Sequence, residues 1–227
     1  VLTAEHVIAD SVKVKEEWDS VLKRDVKKDF AEEVQVEVFD YDGSKIISAN
    51  STAAQIIAYD KHHDLAALRL LNPKPMGCTA SIIPEAEIPT LKLFQPVWTS
   101  GCSLLHEPFA NPGTLTFLRE IIDNKTYVMA NAAAVFGNSG GGLFDGQSGH
   151  LLGLVCRVTA LQLGFGIDVM TWMQFSTHPE RLYEFFRHQE LQFLFDPADD
   201  FHVASERREK RRKEALREIL LGDQKEV

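Results

Sequence analysis

The sequence predicts a mostly β protein, with helices confined to one early stretch and to the C-terminal end. Three observations carry this. Short runs rich in Val, Ile, Leu and Phe recur along most of the chain, each bounded by Gly, Pro, Asn or Asp. The run VQVEVF at residues 34–39 alternates apolar and polar side chains, as a half-buried strand does. Apolar residues at helical spacing stand out only at residues 11–33 and beyond Pro179. Many short strands with this punctuation point to an antiparallel barrel or sandwich.

The elements follow in order. Residues 1–3 read as the end of a strand and residues 4–8 as a tight or helical turn. In residues 11–33, Trp18, Val21, Leu22, Val26 and Phe30 recur at helical spacing among Lys, Asp and Glu, which predicts an amphipathic helix. After the strand at 34–39, Asp42-Gly43 marks a turn. Strands are expected at 45–48, 53–59 and 65–71, and Pro73 and Pro75 open a loop. Further strands are expected at 91–93, 96–100, 114–122, 127–131, 142–144, 151–158 and 164–169. Beyond Pro179, Leu182, Phe185, Phe186 and Leu191 predict a helix docking on the β body. Residues 205–221 predict a second helix, basic in its first half, with Gly222 as C-cap.

The chain has 227 residues, enough for one large domain or two small ones. Its net charge of −9 argues against nucleic-acid binding by the main body. No apolar run approaches the roughly 20 residues that span a bilayer. Cys78, Cys102 and Cys156 are an odd number and far apart, so they form neither a zinc-like pair nor a disulfide framework. They weakly favour an intracellular location. The chain begins inside a strand-like run at Val1, which raises the expectation of a fragment or a processed chain.

One stretch carries chemistry. In VFGNSGGGLFDG, Ser139 stands among glycines. A serine hydroxyl is a poor nucleophile unless a base lies within reach, an orienting group holds that base, and N–H groups face the developing oxyanion. Glycines let successive N–H groups converge. Gly137 and Ser139 are the natural oxyanion pair. A glycine-rich turn alone is a common feature, so the partners decide. Leu2-Thr3-Ala4-Glu5-His6 places a histidine just after a strand, and His63-Asp64-Leu65-Ala66-Ala67-Leu68 places an aspartate at the head of another. His62 and His63 beside Asp64 lack further residues at ligand spacing, so no metal is expected.

In that order these motifs resemble the chymotrypsin/trypsin-like serine peptidases, above all the HtrA (Deg) branch, with its T-A-x-H, D-[IL]-A-[LV] and G-[ND]-S-G-G motifs. Residues 100–105, SGCSLL, look like a degenerate form of that branch's G-x-P-L-G loop. The resemblance covers residues 2–175. It implies two antiparallel six-stranded-type β-barrels, a serine endopeptidase activity without cofactor, and a protein or peptide substrate. By this resemblance His6 is the general base, Asp64 orients it and Ser139 attacks the scissile carbonyl. Ala133 would line the base of the P1 pocket, Gly164 and Gly166 its opposite wall, and residues 153–158, including Cys156, Arg157 and Val158, the edge that pairs with substrate. Ala133 offers no charge, which implies a small or medium apolar P1 residue.

The chain departs from the family pattern in three ways. Only five residues precede His6, so the first barrel is N-terminally incomplete. The 11–33 helix is an insertion, and Gly142 replaces the proline that usually follows S-G-G. The expected organisation is an N-terminal barrel over 1–95, a C-terminal barrel with docking helix over 96–192, and a charged helical tail over 193–227. The inserted helix and the basic run Arg207, Arg208, Lys210, Arg211, Arg212 and Lys213 are possible partner surfaces; the oligomeric state is left open. Two alternatives stand beside the peptidase. One is a latent or inactive domain serving a larger assembly. The other is a maturation protease that cleaves only itself or an assembly partner.

Overall fold

The computed structural model describes residues 1–19, 24–74, 76–77 and 79–223. Strands dominate, in two sheets. The first is β1 (Leu2–Thr3), β6 (Leu65–Leu70), β5 (Lys45–Asp60) and β4 (Val34–Asp42), antiparallel and open at both ends. The second is a closed six-stranded barrel of β7 (Pro96–Gly101), β8 (Phe109–Ile122), β9 (Lys125–Ala130), β12 (Gly166–Thr177), β11 (Leu151–Leu163) and β10 (Gly142–Asp145), with β10 pairing back to β7. A short helix α1 (Glu5–Ile8) follows β1; α2 (Pro179–His188) and α3 (Phe201–Asp223) end the chain.

Alternating patterns explain the barrel core. Val97, Leu115, Val128, Leu143 and Leu152 come from five different barrel strands and converge in one buried cluster. A second cluster joins the two sheets: Leu65 and Ala67 of β6 meet Leu151 and Leu154 of β11 beneath Leu182, Phe185 and Phe186 of α2. The spacing of those three places them on one helical face. Pro179 starts α2, and the His178 side chain caps it by accepting the Glu180 N–H at 3.3 Å.

The helix expected at residues 11–33 is instead a β-hairpin, β2 (Val12–Asp19) with β3 (Arg24–Ala31). Val12-Lys13-Val14-Lys15 alternates, and its β-branched residues suit a strand. The helical count leaned on Val21 and Leu22, which lie outside the described residues. Lys13 pairs with Glu32 at 2.6 Å, the Lys15 ammonium lies 4.1 Å from the Phe30 ring centre, and Glu32 N–H closes the base on Ser11 O at 2.8 Å. Such cross-strand contacts outweigh the weak helical period.

Other elements shift by smaller amounts. Strands 45–48 and 53–59 are one long β5, and β11 and β12 run on as a hairpin arm beyond the barrel. Residues 91–93 form no strand; they follow a 3₁₀ segment, Glu85–Thr90. The last helix starts earlier, at Phe201, and Gly222 lies within it rather than capping it. The side chains of Arg212 and of residues 215–221 lie outside the described residues, as does Cys78.

Candidate active site

The three predicted residues reach the site from three separate places. His6 lies in α1, directly after β1. Asp64 ends the turn before β6, where Asp60 Oδ1 accepts the N–H groups of His62 at 2.7 Å and His63 at 3.1 Å. β1 pairs with β6 through Leu2–Ala67 and Thr3–Ala66, and this register sets the two side chains face to face. His6 Nδ1 lies 2.9 Å from both carboxylate oxygens of Asp64, and the His6 backbone N–H donates to Oδ1 at 3.1 Å. The hydrogen bond to Asp64 raises the His6 pKa above its ordinary value, against the opposing effect of partial burial. Asp64 holds a left-handed backbone, φ +54°, which costs an L-residue roughly 1 kcal/mol.

Ser139 arrives on the loop between β9 and β10. Gly140 N–H donates to Val155 O at 2.8 Å, and Val155 N–H returns to Gly141 O at 2.8 Å, tying the loop to β11. Gly140 has φ +78°, and a Cβ there would stand 2.1 Å from Thr3 Oγ1 and 2.9 Å from Ala4 N. That close approach brings the serine loop against the strand end that carries His6 and excludes any larger residue. Ser139 is half-buried. Among the described residues its hydroxyl forms no hydrogen bond, to His6 or to any other group.

The residues before Ser139 form a built turn. Asn138 N–H donates to Val135 O at 3.1 Å, with Gly137 at φ +96°, the position of a type II turn that favours glycine. Phe136 O accepts from Leu104 N–H at 2.9 Å, so the Gly137 N–H of the same planar peptide points the opposite way. Among the described residues, neither the Gly137 nor the Ser139 N–H has a protein acceptor. Two residues outside the sequence-derived set brace this turn. Asn138, fully buried, accepts the Ser103 hydroxyl and, at 3.3 Å, the Val135 N–H. Asn138 is visible in the Gly-rich motif; its partner Ser103 lies in the 100–105 stretch, whose degenerate loop motif does not mark Ser103 itself.

The remaining predicted residues divide. Ala133 is exposed between buried Ala132 and Ala134, and its carbonyl accepts from Asn111 Nδ2 at 2.8 Å. Cys156 is the extra residue of a bulge in β11, between the pairs Val155–Ser176 and Arg157–Phe175. Its thiol turns inward to Thr177 Oγ1 at 2.8 Å, and burial raises its pKa to about 11. Arg157 is committed to Asp123 at 2.9 Å. Val158 pairs with Gln174. Residues up to Val155 are already bonded to β10 and the serine loop, so only the part of β11 beyond Val155 keeps an open edge on that side. Gly164 and Gly166 are not brought to Ala133. They are exposed at the tip of the β11–β12 arm, and Thr171 O is the group that meets Ala134 N–H, at 2.9 Å. The arm takes in residues 159–163, which the expected strands at 151–158 and 164–169 leave out.

Among the described residues, no group of three or more His, Cys, Asp or Glu side chains could hold a metal ion, and no helix is long and apolar enough to cross a membrane.

Residues 1–154 match the model of the trypsin-like peptidase domain family. No curated protein matches the chain. Among solved structures, the HtrA-type protease AlgW with a decapeptide superposes with a TM-score of 0.56 at 18% identity, over 83% of this chain and 47% of that one. AlgW with a tripeptide gives 0.55 at 19%, over 82% and 50%. The MamO protease domain from Magnetospirillum magneticum in its apo form gives 0.53 at 16%, over 81% and 80%. At these identities the likeness is one of fold, and the chain spans about half the length of the AlgW chains. The match of the family model over 1–154 reaches from the histidine strand past the serine loop: the chain belongs to the trypsin-like peptidase domain family.

Proposed function

We propose that this chain is a serine endopeptidase. The observation that carries the reading is the His6–Asp64 pair at 2.9 Å beside a glycine-cradled serine, in a member of this family. Ser139 Oγ attacks the scissile carbonyl while His6 takes its proton; Asp64 holds the imidazole and stabilises its charged form. The Gly137 and Ser139 N–H groups receive the oxyanion. His6 then protonates the leaving amine, and water hydrolyses the acyl-enzyme on Ser139. The open edge of β11 beyond Val155, with Cys156, Arg157 and Val158, pairs with an extended peptide. Ala133 leaves the P1 pocket uncharged, which suits a small or medium apolar side chain.

A fluorophosphonate probe tests this directly. Labelling of the wild-type chain that vanishes in Ser139→Ala and His6→Ala is the expected result, with kcat for peptide hydrolysis falling by about 10⁶-fold in Ser139→Ala. Labelling that survives in Ser139→Ala sinks the assignment. One observation favours a second reading, a latent domain: Ser139 Oγ and His6 form no hydrogen bond. A folded wild-type chain that takes no label supports that reading.

A further inference from the structure

Asp64 is held by a residue from the other half of the molecule. Arg181, on the inner face of α2, is 5% exposed. Its Nη2 donates to His63 O at 2.7 Å and His62 O at 3.3 Å, and Nη1 donates to Thr126 O at 3.2 Å. The guanidinium lies 5.0 Å from the Tyr127 ring centre. Among the described residues it has no carboxylate partner. A buried cation held only by neutral carbonyls is expensive to bury. Sites where a chain breaks such a rule are where function is to be sought.

The accepting carbonyl explains the expense. His63 C=O belongs to the planar peptide that leads into Asp64. Fixing that oxygen fixes the Asp64 N–H and the axis about which its φ is set. Asp64 occupies φ +54°, a conformation that persists only where the surroundings impose it. Rotation of this peptide would swing the carboxylate away from His6.

We propose that Arg181 is a positioning residue of the site: from α2 it locks the His63–Asp64 peptide so that the Asp64 carboxylate faces His6. The proposal rests on the triad reading. It makes the alignment of a charge pair on the open N-terminal sheet depend on the docking of a C-terminal helix.

The test uses the full chain with Arg181→Met, Arg181→Lys, Asp64→Asn and the Asp64→Asn/Arg181→Met double variant. Four quantities are read: the fluorophosphonate labelling rate, kcat and KM on a peptide substrate, and the titration of the His6 imidazole by NMR. His6 is faced by Asp64 and Glu5, so its pKa reports the Asp64 contact. Arg181→Met is expected to lower kcat and the labelling rate by about 10²-fold, with KM nearly unchanged. It should move the His6 pKa down towards its value in Asp64→Asn, and add little to the loss in Asp64→Asn. A folded Arg181→Met chain that melts lower but keeps the wild-type His6 titration overturns the proposal, since only a structural role would remain. If Arg181→Met does not fold, Arg181→Lys decides. Its point charge cannot span three carbonyls, so the same downward His6 shift is expected, and an unshifted titration overturns the proposal. A wild-type chain that neither labels nor hydrolyses defeats the peptidase reading, while the His6 titration still decides the role of Arg181.

Discussion

The two halves that meet at Ser139 are built to different standards of closure. The C-terminal half is a closed barrel from which β11 runs on with an open edge beyond Val155, and Val97, Leu115, Val128, Leu143 and Leu152 are sealed inside it. The N-terminal half is an open four-stranded sheet whose edge strand β1 is two residues long. Beside it opens a cavity of about 900 Å³ lined by Leu2, Leu68, Leu70, Phe193 and Phe201. The Ser139 loop stands on the closed half and the His6–Asp64 pair on the open one. Arg181 of α2 ties the turn before Asp64 to β9 of the barrel, by its bonds to His63 O and Thr126 O.

The largest effect that sharpens this contrast is on activity. Positive φ occurs in both halves of the candidate site, at Gly137 and Gly140 on the closed half and at Asp64 on the open half. A Cβ at Gly137 would stand 2.6 Å from Cys102 O and 2.8 Å from Leu104 N. Gly137→Ala should therefore turn the Phe136–Gly137 peptide, lower kcat of the proposed peptidase by about 10²–10³-fold and lower the melting temperature. A variant of wild-type kcat would show that this loop is as adaptable as the open half.

Next in size is packing. Leu152→Ala leaves a cavity inside the barrel and should cost about 3 kcal/mol in chemical denaturation. Val36→Ala, half-buried on β4 at the sheet edge, should cost about 1 kcal/mol. Equal losses would break the contrast.

The smallest effect is a pH dependence of opposite sign in the two halves. Burial lowers the pKa of His178, the cap of α2, to about 4. The unfolded chain then binds the extra proton first, so stability falls as pH drops from about 6.5 to 4, by roughly 2–3 kcal/mol. His178→Asn, which can still cap the helix, should flatten that fall. His6 is shifted the other way, so its contribution is complete below about pH 6.5 and is lost as pH rises through its raised pKa. Its side chain is 45% exposed, so solvent screening keeps that contribution small. In the proposed mechanism the neutral imidazole is the base, so kcat/KM should decline towards acid pH with its midpoint above pH 6.5. A denaturation series whose pH slope survives in His178→Asn would assign the effect elsewhere.

The basic run of α3 shows how a sequence motif can be spent internally. Arg207 pairs with Asp199 at 2.6 Å and Glu190 at 3.1 Å, and Arg211 pairs with Glu190 at 3.1 Å. These contacts fasten the helix to the segment after α2.

The β class, most of the barrel strands and the three short motifs are legible in the residues alone, because alternation and glycine punctuation act over a few residues. VQVEVF and LLGLVC became strands, and GNSGG became the serine loop. The hairpin at 12–31 reads as a helix in sequence because its charged residues fill both the helical and the strand period. The rest is set by contacts between distant segments. The β1–β6 register sets His6 against Asp64, the Cys102–Leu105 segment orients the Gly137 peptide, and Arg181 reaches His63 across 118 positions of chain. Such contacts join residues whose local patterns carry no trace of one another, and only packing selects them.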